Sequence, residues 1–318
     1  MAAVRDQGDA RPLTDVDGSG KVPFDDYPGV YSAADAASVA LRRQHFLAEG
    51  VQLLLNPVSA GLVLLVATGV LRLSSAVLTA VSTTLLVVML WVVRASRWQK
   101  RWYECRGSAE DVKRLSWRYM MELDPFPPGA PVPEASFVRL LDDMVRGHPE
   151  IAGALGRGAN AFTPPVTDGM RRVRQAPSEE RARIYVESRL RPERAWYAAK
   201  AARYAAADDR WFAFLVAVQL AAVASAMFLA VRIGASPAPS SAAESAIPLI
   251  AATGAAVMGW QRSKRYADLA SSYASTAHAL AGLESTRPGS EESALLGEWV
   301  EAVESTLASE HEVWRLMT

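Results

Sequence analysis

Cysteine, histidine and an excess of either charge are what this sequence lacks. Cys105 is the only cysteine among 318 residues, so no intramolecular disulfide can form, and one thiol with four histidines is too few for a Cys-rich metal site. Lys and Arg together number 34, and so do Asp and Glu, which disfavours a basic nucleic-acid binder. We therefore expect neither a disulfide scaffold nor a zinc protein, and no nucleic-acid partner.

Motifs of nucleotide binding and catalysis are also missing. The chain contains no GxGxxG, no GxxxxGKS/T, no HExxH and no GxSxG. Glu310, His311 and Glu312 stand together, but this pattern is more typical of a solvated helix face than of an acid/base pair. Cys105 lies on an apolar seam, where a thiol packs rather than reacts. We therefore expect no enzymatic activity, no catalytic residues, no metal and no cofactor.

The N-terminal residues carry no apolar run. Residues 1–32 are rich in Asp, Gly and Ser, which predicts a mobile tail and no cleavable signal peptide. Any membrane insertion would then use internal segments.

Half of the residues are hydrophobic, and many of them are concentrated in four uncharged runs. The runs cover residues 51–71, 73–93, 211–231 and 246–260. A helix of about 20 residues crosses the roughly 30 Å of hydrocarbon in a bilayer. We therefore predict four membrane spans, arranged as two hairpins, of which the fourth span is short. The alternative is that these runs are buried core helices of a soluble protein.

Basic residues are distributed unevenly around these runs. The turns inside the two hairpins hold only Arg72 and Arg232, whereas the outer flanks are basic. The basic residues that follow the second and fourth runs are Arg94, Arg97, Lys100, Arg101, Arg262, Lys264 and Arg265. By the positive-inside rule, both termini and the central segment lie in the cytoplasm.

An amphipathic helix is predicted after each hairpin. The short sequences WQKRWYE, from Trp98, and WQRSKRYAD, from Trp260, occupy the same place in each half and suggest an internal repeat. The first of these helices has a coiled-coil-like seam with 4-3-4-3 spacing: Trp98, Trp102, Cys105, Ala109 and Val112. We predict an all-α membrane protein in which two transmembrane helical hairpins continue into long cytoplasmic helices.

Residues 125–177 separate the two halves. They begin with the proline-rich sequence PFPPGAPVP, which predicts a stiff linker, and end in a glycine-rich stretch. One short helix is predicted inside the linker, at Glu134–Arg146. A long helix, Glu179–Arg210, would then lead into the third span.

Few polar groups lie inside the predicted spans. Ser82, Thr83, Thr84 and Gln219 would either bond to the backbone of their own helix, contact another helix, or line a polar pore. No ionisable residue accompanies them, which disfavours an ion-coupled transporter.

Small residues recur every four positions in the fourth span. Ala251, Ala255 and Gly259 form a ladder that allows close helix packing, either within one chain or between chains.

A group of arginines precedes the second half. Arg171, Arg172 and Arg174 could contact a phosphate, or could pair with nearby acids such as Glu179 and Glu180.

Two segments resemble a known family. Arg101–Phe126 (RWYECRGSAEDVKRLSWRYMMELDPF) resembles the helix that follows the hairpin in bacterial SLATT domains, the SMODS and SLOG-associating two-transmembrane effector domains. Met170–Phe212 is similar to the start of a second SLATT subtype, and Val300–Trp314 resembles the family's end, with Glu310 and Trp314. The residues that match the second subtype's pattern are Met170, Arg174, Arg181, Tyr185, Arg189, Trp196, Tyr197, Lys200 and Ala201. Pro192 and Glu193 stand where that subtype often has Asp-Gln.

This resemblance implies two SLATT-like units of different subtype, at residues 33–124 and 178–318. It also implies a bacterial inner-membrane effector of a nucleotide-dependent, anti-phage conflict system. Such an effector would form homo-oligomeric pores that depolarise or kill the infected cell in abortive infection. Its partners would be the lipid bilayer and a nucleotide second messenger or sensor protein. The alternative is a non-conducting, membrane-anchored scaffold that recruits a cytoplasmic partner.

Overall fold

A computed structural model describes residues 26–72, 74–156, 163–235, 241–289 and 293–316, and these residues form helices without any β-strand. The predicted all-α class is therefore confirmed. In chain order the elements are α1 (Gly29–Ala67), α2 (Ser75–Ser96), α3 (Trp98–Met120), α4 (Pro133–Gly147), α5 (Pro149–Leu155), α6 (Asp168–Gln175), α7 (Ser178–Tyr185), a π turn (Val186–Leu190), α8 (Arg191–Ala235), α9 (Ser241–Lys264), α10 (Tyr266–Ser285) and α11 (Ser293–Leu316).

The chain divides into two compact units that do not coincide with its two sequence halves. The polar unit comprises residues 1–43, 98–200 and 272–318, and the apolar unit comprises residues 44–97 and 201–271. Each unit thus takes residues from both halves of the sequence.

Three helical stretches are long and apolar enough to cross a membrane: Gly29–Ala67, Ser75–Met120 and Ser178–Val231. They contain most of the first two predicted spans and all of the third, and α1 already ends at Ala67, before the predicted end of the first span. The fourth predicted span lies within α9, which is not among these three stretches.

A break follows the second apolar helix of each half. Arg97 separates α2 from α3, and Arg265 separates α9 from α10, and both arginines have φ 48°. Such left-handed backbone is unusual for a residue other than glycine. The breaks repeat at equivalent places in the two halves, but not at equivalent positions of the WQ motifs, because Arg97 precedes Trp98 whereas Arg265 follows Trp260.

The N-terminal segment enters the polar unit earlier than expected. Helix α1 begins at Gly29, inside the predicted tail, and the Trp117 indole N–H donates to the Tyr27 hydroxyl at 2.9 Å. The Asp26 carboxylate accepts from the Gly169 backbone N–H at 3.0 Å, at the start of α6. These two hydrogen bonds tie the start of the described chain to α3 and α6, while residues 1–25 lie outside the described residues.

The segment expected to be a linker is part of the polar unit. It holds three helices, α4, α5 and α6, where one short helix was predicted. Its apolar side chains explain the difference, because the rings of Phe126 and Phe137 are fully buried and lie 5.7 and 5.3 Å from that of Tyr119 in α3. The glycine-rich residues 157–162 lie outside the described residues.

The seam of the first amphipathic helix lies in the core of the polar unit. Cys105, Ala109 and Val112 are completely buried, and the Trp98 and Trp102 side chains pack against the same cluster. The predicted long helix Glu179–Arg210 is longer in the structure and contains the π turn.

Candidate functional site

The apolar unit presents bulky hydrophobic side chains on its outside. Helix α2 has no buried residue, and about half or more of the surface of Val81, Val87 and Trp91 is accessible. Phe212 and Met227 of α8 are similarly exposed. Contiguous apolar surface of this extent marks membrane or protein contact, because in water each Å² of it costs about 25 cal/mol.

Glycines bring α9 close to α1 and α8. A Cβ added to Gly259 would lie 2.7 Å from Leu53 Cδ2, and one added to Gly254 would lie 3.7 Å from Val218 Cγ1. Of the predicted ladder, Gly259 alone is on this packed face, since Ala251 and Ala255 are exposed. The first two residues of the predicted ladder therefore do not take part in this helix packing.

The polar residues of the predicted spans are largely engaged locally. The Ser82 hydroxyl donates to the Leu78 carbonyl at 2.6 Å, and the Thr84 hydroxyl donates to the Ala80 carbonyl at 2.8 Å. Of the three predicted alternatives, the Ser82 and Thr84 hydroxyls therefore adopt the first, a hydrogen bond to the backbone of their own helix. Thr83 and Gln219 are exposed.

A cluster of polar and aromatic residues joins α1 to α9 at one end of the apolar segments. The Lys264 ammonium lies 3.4 Å from the Phe46 ring centroid and 4.7 Å from that of Trp260. The Ser263 hydroxyl donates to the Glu49 carboxylate. These contacts are cation–π and hydrogen-bonded, so they fix the register of α1 against α9 more specifically than apolar packing does.

His45 belongs to the same cluster. Its Nε2 lies 3.5 Å from Glu49 Oε2. Burial lowers the pKa of His45 and Lys264 lowers it further, although Glu49 acts in the opposite direction. Sequence analysis missed this cluster; the signal available was the spacing of four between His45 and Glu49 and between Trp260 and Lys264.

The polar unit contains a buried ionic group, here called the Arg189 cluster: Tyr185, Arg189, Glu193 and Glu304. The Arg189 side chain is 2% exposed and that of Glu304 is 1% exposed, and two parallel 3.0 Å hydrogen bonds join them. Arg189 also donates to Glu193 at 2.9 Å, and the Tyr185 hydroxyl donates to Glu304 at 2.9 Å. Burial alone would lower the pKa of Arg189, but the carboxylates, Glu304 foremost, raise it well above its usual value.

Residues of α3 extend this cluster. Glu110 lies 3.8 Å from Arg189, and Lys113 lies 3.8 Å from Glu193. The Trp117 ring packs edge-on against Tyr185, with 5.2 Å between ring centroids. Two well-separated parts of the chain are therefore joined by buried charge and aromatic contacts.

The arginines considered for phosphate binding are paired differently. Arg171 makes two 3.0 Å hydrogen bonds to Glu134 and a 2.9 Å bond to Asp168. These bonds lower the pKa of Glu134, since they stabilise its ionised form. Arg174 donates to the backbone carbonyls of Tyr119 and Phe126. Arg171 and Arg174 therefore do not point into one shared phosphate site.

Arg172, between these two arginines, is exposed. Within the described ranges, no three His, Cys, Asp or Glu side chains lie close enough to hold a metal ion.

Cys105 should resist thiol reagents in the folded protein. Burial, with Glu150 and Glu104 nearby, raises the pKa of Cys105 to about 11, so little thiolate forms at neutral pH. We expect maleimide to label the native chain at pH 7.5 at least about tenfold more slowly than the chain in urea. The control is an Ala199→Cys variant, whose added cysteine is at an exposed position and should react rapidly with maleimide in the native chain. Equally fast labelling of Cys105 before and after unfolding would contradict this assignment.

Comparison with known protein families gives two matches along the chain. Residues 28–182 match SMODS and SLOG-associating 2TM effector domain 3, and residues 185–314 match SMODS and SLOG-associating 2TM effector domain 1. No curated protein and no solved structure matches the chain. The first match runs through the three short helices α4 to α6.

The boundary between the two matches passes beside the Arg189 cluster. Glu110 and Lys113 come from the first match, whereas Arg189, Glu193 and Glu304 come from the second. Both matches also contribute to the apolar unit, where Gly259 of the second faces Leu53 of the first. The chain belongs to the SLATT family and carries two SLATT domains of different subtypes in tandem.

Proposed function

We propose that this chain is a membrane-disrupting effector of a nucleotide-dependent bacterial conflict system. It would cross the inner membrane four times, with both termini in the cytoplasm, and would assemble into a conducting homo-oligomer that depolarises the infected cell. The observation that carries the proposal is the exposure of bulky hydrophobic side chains along α2 and along the part of α8 from Phe212 to Val231. The effector description of both matched domains supports the same conclusion.

The positions of charge support the proposed orientation. Arg94, Arg97 and Lys100 follow the apolar part of α2, and Arg262 and Lys264 follow that of α9. Cationic residues concentrate on the cytoplasmic side of membrane helices. The polar unit, with the Arg189 cluster in its interior, would then be the cytoplasmic part that receives the activating signal from a nucleotide or a sensor protein.

A charge on the exposed face of α2 should abolish depolarisation. Val87 is 59% exposed, so Val87→Asp leaves the packing inside one chain unchanged but costs about 2.5–3.5 kcal/mol in hydrocarbon. We expect bacteria that express the native chain to lose the fluorescence signal of a potential-sensitive dye, and bacteria that express Val87→Asp to keep it. The proteins are compared at equal amounts after alkaline extraction of the membranes.

The matched control for this substitution is Val132→Asp. Val132 is 58% exposed but lies in the polar unit, just before α4, so the same change in side chain should leave depolarisation intact. A native chain that resides in the membrane of phage-challenged cells without altering their potential would contradict the proposal.

The second candidate function is a non-conducting scaffold. The observation that favours it is that the Ser82 and Thr84 hydroxyls are engaged by their own helix and do not offer a polar lining. If the chain is a scaffold, the Val87→Asp variant should still bind its cytoplasmic partner. The membrane potential of the cells should then be the same with the native chain and with the variant.

A further inference from the structure

One continuous helical stretch links the Arg189 cluster to the third apolar run. Helix α7, the π turn and α8 follow one another from Ser178 to Ala235. In the π turn, the Arg191 backbone N–H donates to the carbonyl of Val186, five residues earlier. A π turn holds one residue more than an α turn, and such turns are frequent at functional sites.

The backbone beside the π turn explains why a regular helix is weakened there. Pro192 has no N–H, so the α-helical hydrogen bond to the Ser188 carbonyl cannot form. Among the residues that the structure describes, the buried hydroxyl of Ser188 has no hydrogen-bond partner. The π turn is therefore not held by its own polar side chain at Ser188.

Tertiary contacts of Arg189 hold the turn. Arg189 is in the π turn, and its guanidinium is fixed by Glu304 of α11 and Glu193 of α8. A buried arginine without a carboxylate partner is strongly destabilising. Any change that separates Glu304 from Arg189 therefore also removes a contact that stabilises the π turn.

The same residues are compatible with an unbroken α-helix. The buried positions along this stretch are Ala182, Tyr185, Val186, Arg189, Leu190, Glu193, Tyr197 and Lys200. At the 100° per residue of a regular α-helix, all of them would fall within an arc of about 140°, on one face. The sequence thus supports two registers, and the structure contains the one with the π turn.

We propose that the π turn is a two-state switch whose state is set by the Arg189–Glu304 pair. When the pair separates, the turn becomes α-helical, and α8 rotates relative to α7 by about the 100° that one residue subtends. The inference rests on the proposed function, because α8 carries the third predicted span, residues 211–231, and would transmit the rotation to it. The signal that separates the pair would act on α11, which supplies Glu304.

Spin-label distances across the turn test the switch directly. Arg183→Cys and Ala199→Cys place labels at exposed positions on either side of the turn, in the full chain with Cys105→Ala, in lipid nanodiscs. From the helix parameters, the α-helical form should lengthen the label distance by about 4 Å. The starting chain should give the shorter distance.

Three variants should move the distance in known directions. Pro192→Ala restores a backbone N–H, and Glu304→Gln weakens the ion pair. In both variants we expect a second population with the longer label distance. Deletion of Ser188 removes the extra residue, so it should keep the shorter distance as the sole one and prevent depolarisation. Pro177→Ala, at the start of α7 where no helical N–H is needed, is the control and should change nothing.

The readouts separate this inference from the proposed function. A single, unchanged distance in both Pro192→Ala and Glu304→Gln would overturn the switch, even if the native chain depolarises cells. The expected distances in chains that never depolarise a cell would uphold the switch and overturn the proposed function.

Discussion

Glu304→Ala should destabilise the polar unit by about 3–5 kcal/mol, because it leaves the buried guanidinium of Arg189 without its bidentate partner. The Tyr185 hydroxyl would lose its acceptor in the same variant. We expect a lower midpoint of thermal unfolding for the chain in detergent micelles, followed by the loss of near-ultraviolet circular dichroism from the buried aromatic residues.

The matched control is Glu301→Ala on the same helix. Glu301 pairs with Arg118 at 3.0 Å, but its side chain is 49% exposed, so the loss should be below about 1 kcal/mol. The double variant Arg189→Met with Glu304→Met should recover most of the stability, since it removes both charges at once. Equal losses in Glu304→Ala and Glu301→Ala would mean that the buried ion pair does not hold the polar unit together.

Gly259→Leu should disrupt the packing of α9 against α1. The nearest Leu53 methyl carbon is 2.7 Å from the position of a Cβ, so a leucine cannot be accommodated without displacing a helix or the Leu53 side chain. Overpacking of this kind costs about 1–3 kcal/mol. We expect a lower midpoint of thermal unfolding in micelles and weaker depolarisation in cells.

Ala255→Leu provides the control, one turn earlier on the same helix. Ala255 is exposed, so the same leucine should leave the midpoint unchanged. Combining Gly259→Leu with Leu53→Ala should restore part of the loss, because the second change makes room for the first. An equal effect at both positions of α9 would show that the ladder of small residues packs as a whole rather than at Gly259.

Sequence alone predicts the features of this fold that depend on nearby residues. The apolar runs and the seam around Cys105 follow from helical periodicity, and the seam and most of each run lie in helices. The bonding of Ser82 and Thr84 to their own backbone is likewise a contact over four residues. Such features need no knowledge of the tertiary structure.

The Arg189 cluster could not be predicted in this way. Arg189 and Glu304 are 115 residues apart, and each looks like an ordinary surface charge in its own helix. The π turn is hidden for a related reason, since the spacing of the buried residues from Ala182 to Lys200 is that of a regular helix. Pro192 is a local signal, but in the sequence alone it indicates only a departure from the family pattern.

The segment 125–177 shows how composition can mislead. Its prolines and glycines predict an extended linker, but Phe126 and Phe137 pack with Tyr119 over a distance that local patterns do not reveal. The tail prediction is wrong for residues 26–32 for a similar reason, because Tyr27 is held by Trp117 of α3.

At two positions with left-handed backbone, Arg97 and Arg265, the backbone conformation and the positive charge favour different residues. At Arg97 and Arg265, glycine would relieve a conformational cost of about 1–2 kcal/mol but would remove a cation, whereas lysine would keep the cation and the cost. No standard residue satisfies both demands. The α2–α3 and α9–α10 junctions are therefore strained, and a motion that converted either arginine to right-handed helical backbone would release that conformational energy.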